Sequence, residues 1–239
     1  MNAIKNWTQT MEGSKLDKQV AGKIRDVYYL TSKILCEDTT ERRQAALEAI
    51  ERICKNVLTA DSDYVFDIKA DREICSACTS IPKKRSNKAI AHINPLAVLK
   101  LKQEREFIPR QYFCDKQRRD FIVDVVEALP FKKKICLLLH YYRELSWEEI
   151  VFATGMRKNT VKQQLKSAQM HIVYVLQKEF VDYNDLIRSY AFEPLRVPVL
   201  TQILHRDSSL MEEEPLRELA AHAEKLLQIN DIPRLHPLE

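Results

Sequence analysis

Glycine is nearly missing from this chain, with three residues among 239. A loop that cradles phosphate needs glycines close together so that backbone amides can reach the anion, and three scattered ones cannot build it. Folds made of short strands also draw on glycine at their tight turns, so a sheet architecture is disfavoured. No His-Glu-x-x-His pattern and no serine-centred elbow occurs, which removes the commonest signatures of metalloproteases and α/β-hydrolases. His140, His171 and His222 fall at helical positions without a paired acid or cysteine; His140 is read as a surface residue of its domain. Catalysis is not expected, and neither is a cofactor.

Cysteines are present but unorganised. Cys75-Ser76-Ala77-Cys78 has the spacing of half a metal site, but such a site needs two more ligands, such as His92 or Cys114, and no second pair is recognisable as a unit. Two thiols on a helix or turn are the default reading, and no metal is expected. Met1 to Lys18 is polar, without the apolar core of a secretory leader, and no apolar run is long enough for a bilayer. No membrane association is expected. The six cysteines are therefore read as buried thiols of a cytoplasmic protein.

What the chain does have is helix-forming material. Hydrophobic residues make up 45% of it, enough for a real core, and Leu, Lys, Glu and Ala dominate, so the fold is expected to be all-α. The formal net charge of +4 conceals a strong asymmetry. Residues 116–178 carry 12 Lys and Arg against 6 acids, about +6, whereas residues 179–239 carry 6 against 12, about −6. A basic centre of this kind suits phosphate neutralisation, although ordinary solvated helix faces would show it too.

Within that centre, residues 129–169 carry a helix-turn-helix pattern. Ser146, positioned to accept from the amide three residues on, and Glu149, able to reach back, form a capping box that starts a helix. Ile150 and Ala153 face inward, and Gly155 takes the positive φ that stops it. After Met156-Arg157 a second helix resumes, with Val161, Leu165, Ala168, Ile172 and Leu176 on one side. Lys158, Asn159, Lys162, Gln163 and Lys166 occupy the other. Such a helix suits the DNA major groove, where Lys, Asn and Gln read base edges and cations neutralise phosphates. Lys158, Asn159, Lys162 and Gln163 are expected at bases, and Arg157, Thr160 and Lys166 at phosphates.

Leu145-Ser146-Trp147-Glu148-Glu149-Ile150, Gly155-Met156, Thr160-Val161-Lys162, Leu165 and Ala168 together resemble region four of the bacterial RNA polymerase sigma factors, especially the extracytoplasmic-function type. Leu129-Pro130 followed by the apolar run Ile135 to Tyr142 fits the same family. The resemblance implies a second helix that reads promoter DNA, docking on the flap of core RNA polymerase, and control by a regulator of the anti-sigma kind. The sequence departs from the family at Gln164, Ser167 and Gln169, where arginine is common, which implies fewer phosphate contacts there.

The rest of the chain is read around that domain. Residues 1–75 are expected to form a helical domain standing where region two stands in a sigma factor, with helices over 21–60 separated by a turn at Glu37 to Thr40. Arg42 to Ile50 does not carry the family's acidic signature, so no polymerase-binding residues transfer; Tyr28 and Tyr29 are read as core or core-edge residues. Residues 76–114 are expected to be a linker, with Tyr64-Val65-Phe66 a short apolar turn before it and Ile81 to Lys88 a basic, helix-breaking run. Residues 115–180 form the helix-turn-helix domain, of the winged-helix-like or region-four kind, with a helix over 115–129 and Pro130 opening the next, whose inward face is Ile135, Leu138, Leu139 and Tyr142. Residues 181–239 are an acidic helical extension, broken by Pro194 and Pro198 before a helix over 215–228. Leu216, Leu219, Ala220, Ala223, Leu226 and Leu227 give that helix an apolar face, to be covered by the body of the protein, a second copy or a regulator. The acidic extension also has the charge to compete with DNA. Two other readings stay open: a protein that binds polymerase or a sigma factor without reading a promoter, and a dimeric helix-turn-helix regulator.

Overall fold

The computed structural model describes residues 18–35, 39–58, 60, 62–84, 115–179 and 197–229. Their helices, in chain order, are α1 (Lys18–Ile34), α2 (Thr39–Asn56), α3 (Asp63–Lys84), α4 (Asp115–Glu127), α5 (Phe131–Tyr141), α6 (Trp147–Thr154), α7 (Lys158–Glu179), α8 (Val197–Ser209) and α9 (Glu213–Ile229). No strand occurs among the described residues. The fold is all-α, and the hairpin of a winged helix is not found among them.

Two compact units divide these helices. The first joins α1, α2 and α3 to α9, from the far end of the chain. Each helix contributes a stripe at three- and four-residue spacing: Val20, Ile24, Val27 and Ile34 from α1, Ala46, Ala49, Ile50 and Ile53 from α2, and Phe66, Ala70, Ile74, Ala77 and Ile81 from α3. From α9 come Leu216, Leu219, Ala220 and Ala223, packed against α1 and α2. The buried alanines let these helix axes approach, and each large aliphatic side chain removed from water contributes about 1.5–3 kcal/mol. Of the face expected for α9, Leu226 and Leu227 are half-buried rather than core.

A charged cluster sits inside this apolar unit. Lys23 is buried, and its Nζ lies 3.0 Å from Asp71, itself fully buried, 2.9 Å from Asp67 and 3.5 Å from Asp26. The carboxylates offset what the ammonium loses on leaving water. Tyr29 is also fully buried, with Lys33 over its ring at 5.6 Å, and Tyr28 is half-buried. The Tyr29 ring is therefore a core group, in no position to stack on a base.

The linker expected over 76–114 is corrected at its start. Residues 76–84 continue α3, and Tyr64 to Phe66 are the first turn of that helix rather than an isolated apolar turn. Ser62 caps it, its Oγ accepting from the Val65 amide at 3.3 Å and its carbonyl from Phe66 at 2.9 Å. Cys75 and Cys78, three residues apart on α3, are buried in the first unit, and burial pushes the Cys78 thiol up to about 12, with Glu48 adding to the rise. Their sequence-level companions His92 and Cys114 lie outside the described residues, as do 85–114 generally. Among the described residues no three His, Cys, Asp or Glu side chains gather as a metal site.

The second unit contains α4 to α8. The helix expected over 115–129 ends at Glu127. Pro130, expected as the first helical residue, is the N-cap of α5 instead (φ −55°, ψ 143°), and its carbonyl accepts from Lys133 and Lys134 at 2.9 and 3.0 Å. Ile135, Leu138, Leu139 and Tyr142 are buried as their spacing requires. Pro198, expected to break the chain, is the second residue of α8. A first-turn amide has no helical acceptor, so proline costs nothing there. Leu200 and Leu204 of α8 are fully buried, and the His205 ring lies against Tyr142, tilted by 40° with centroids 4.9 Å apart.

Candidate nucleic-acid interface

The site grows from the two caps of α6. Ser146 has extended backbone, its Oγ accepts from the Glu149 amide at 3.3 Å, and the Glu149 carboxylate accepts from the Ser146 amide at 2.6 Å. Two amides that the helix cannot satisfy are thereby paired. At the other end Gly155 has φ 68° and ψ 7°, the left-handed conformation in which a side chain is strained. Its amide returns to the Val151 carbonyl at 2.9 Å. Thr154 Oγ1 donates to the Ile150 carbonyl and accepts from the Met156 amide, which fixes the short turn. The carbonyl of Arg157 accepts from Val161, so α7 starts where the turn ends.

Ile150 and Ala153 of α6 and Val161, Leu165, Ala168 and Ile172 of α7 are buried, and α7 packs on α5 as well as on α6. This seating leaves the opposite side of α7 outside. Arg157, Lys158, Asn159, Lys162, Gln163 and Lys166 are exposed, and Thr160 is half-buried. Lys158, Lys162 and Lys166 repeat every four residues and form one cationic row; Asn159 and Gln163 form a second row beside it. All seven residues singled out in the sequence thus lie on the first turns of one helix or immediately before it.

Two neighbours of this row were not legible in the sequence. Glu148, in the first turn of α6, accepts from Lys158 Nζ at 2.5 Å, and both side chains are more than half exposed. The hydrogen bond from Lys158 holds the Glu148 carboxyl below its usual range, with Lys162 contributing a smaller attraction. Trp147, adjacent to it and 42% exposed, lies under Lys162, whose Nζ is 4.3 Å from the ring centroid. That is cation–π geometry. Contacts ten and fifteen residues apart across a turn obey no helical spacing rule, so only the fold reveals them.

The positions where the sequence has Gln164, Ser167 and Gln169 are half-buried. Gln169 donates from Nε2 to the Tyr141 hydroxyl at 2.7 Å, tying α7 to α5. A polar side chain there serves the domain's own packing. His140 bonds through Nδ1 to the Leu145 carbonyl at 3.0 Å and so braces the loop before α6; it is half-buried rather than on the surface. Glu144 in that loop has φ 55°. His171, on α7, is held below the ordinary imidazole range by burial and by the positive charge of Lys133.

Chemically the exposed side of the first turns of α7 offers hydrogen-bond donors, amides and cations. Residues 122–171 match the family model described as Sigma-70, region 4. The matched stretch runs from α4 to α7 and contains both caps and every residue of the cationic row. No curated protein and no solved structure matches the chain.

Proposed function

We propose that the chain, whose residues 122–171 match Sigma-70, region 4, is a non-enzymatic, sequence-specific DNA-binding transcription factor, a divergent sigma factor that directs RNA polymerase to promoters. In this reading Lys158, Asn159, Lys162 and Gln163 contact base edges in the major groove, and Arg157, Thr160 and Lys166 hold phosphates. The same domain docks on the polymerase flap, and the first unit stands where region two stands in a sigma factor. An anti-sigma regulator and a cytoplasmic location belong to the same proposal. No bond is made or broken; the work is recruitment.

The observation that supports this most is the double row on α7, exposed while Val161, Leu165 and Ala168 seat the helix. A second reading, a protein that binds polymerase or a sigma factor without recognising a promoter, is favoured by Gln169, which bonds inward to Tyr141 at a position where sigma factors commonly carry arginine. Co-purification with core polymerase followed by run-off transcription separates the two. Chain-dependent transcripts from defined start sites support the sigma reading. Binding without transcription favours the second, and a dimer that reads DNA but ignores polymerase favours an autonomous regulator.

A further inference from the structure

Lys158 opens α7, where the positive end of the helix dipole disfavours a cation. It is nevertheless paired, because Glu148 reaches across the turn to its Nζ at 2.5 Å. Glu148 takes no part in the capping box, which is formed by Ser146 and Glu149; its carboxylate accepts from Lys158 and from its own backbone amide. Glu148 and Lys158 are 66% and 53% exposed, so the pair lies at the surface that would face DNA. In a helix-turn-helix the first helix crosses the nucleic-acid backbone. A carboxylate at its start has the same sign as the phosphates it meets.

We propose that Glu148 is a specificity-determining residue of this interface, competing with nucleic-acid phosphate for Lys158. The inference rests on reading the α7 face as DNA-binding. On a duplex lacking the correct bases, Lys158 stays on Glu148, since exchanging one anion for another gains nothing and strands a carboxylate beside phosphate. On the correct site, a bidentate contact to a base edge outweighs the exposed ion pair, and the lysine is released. Non-specific binding is thereby reduced more than specific binding.

The test uses the full chain, a random-sequence duplex and a duplex recovered by selection from a random pool. Glu148→Gln removes the competing charge while leaving the Ser146–Glu149 cap intact. Affinity for random duplex is expected to rise on the order of two- to fivefold, the equivalent of one exposed ion pair. The slope of log affinity against log salt on that duplex should steepen by about one, the signature of one more phosphate contact. Affinity for the selected duplex should change less. In the Glu148→Gln, Lys158→Gln double variant the gain should vanish. An unchanged salt slope, weaker binding to both duplexes, or a gain that survives loss of Lys158 overturns the proposal. A chain that binds no duplex with or without Glu148 overturns the DNA-binding reading itself and the competition with it.

Discussion

Lys162 carries the clearest prediction at the scale of one residue. It is exposed in the middle of the cationic row, and its ammonium rests over Trp147 rather than in an ion pair with a carboxylate. Replacing it with alanine should weaken binding to a selected duplex by about 1–3 kcal/mol while affecting random duplex little, if it reads a base. Competition titration on the two duplexes measures this, and equal loss on both reassigns Lys162 to a phosphate. His171 gives a prediction in pH. Burial and Lys133 lower its affinity for protons in the folded state, so below the unfolded value of about 6.5 the unfolded chain binds more protons. The stability owed to the neutral imidazole is complete above that pH and is lost progressively as pH falls from it through the lower folded-state value. Denaturant titrations at pH 7.5 and 5.5 should show a loss in the wild type that His171→Gln reduces; an identical loss in both would clear His171. The placement of these residues was partly legible. The seven site residues could be named because helical spacing sorts α7 into an inner and an outer side, whereas Glu148 and Trp147 could not, because their partners lie across a turn.

Among elements, α6 and α7 were readable from local chemistry alone. A capping box, a left-handed glycine and an apolar stripe are short-range devices; both caps stand at the expected residues, and of the stripe Val161, Leu165, Ala168 and Ile172 are buried, the Leu176 side chain lying outside the described ones. The third helix was harder. Its stripe of Phe66, Ala70, Ile74, Ala77 and Ile81 is regular, but alanine and cysteine are weak hydrophobic signals, and Pro82 with the basic run after it suggested a break. Tertiary packing against α1 and α2 supplied what the local pattern lacked. The ninth helix was recognised as amphipathic, yet nothing in the sequence specified its partner among the candidates. In the fold its apolar face packs on α1 and α2. Leu219→Ala should therefore cost about 2–5 kcal/mol and speed amide exchange in α1, α2 and α3. Unchanged exchange in those helices would mean that α9 is not part of their core.

For the molecule as a whole, chain order and unit membership differ. The first unit is completed by α9 from beyond the helix-turn-helix, so the matched domain is encoded between two parts of one helical bundle. In chain order residues 181–239 read as a separate extension; long-range contact, which no periodicity encodes, assigns α9 to the first unit. The charge asymmetry also acquires a structural side. The basic surplus coincides with the region 4 domain, while the acidic α9 has its apolar face buried within the first unit. These features frame the central claim that the region 4 domain serves promoter-directed transcription. The most direct measurement is transcription by core bacterial RNA polymerase, with and without the full chain, on a pooled library of duplex templates, with transcript 5′ ends mapped. The account predicts chain-dependent transcripts from templates that share one upstream sequence, lost together when Lys158, Lys162 and Gln163 are replaced by alanine. A chain that binds core polymerase yet yields no such transcripts, or one whose transcripts are indifferent to those three residues, would contradict it.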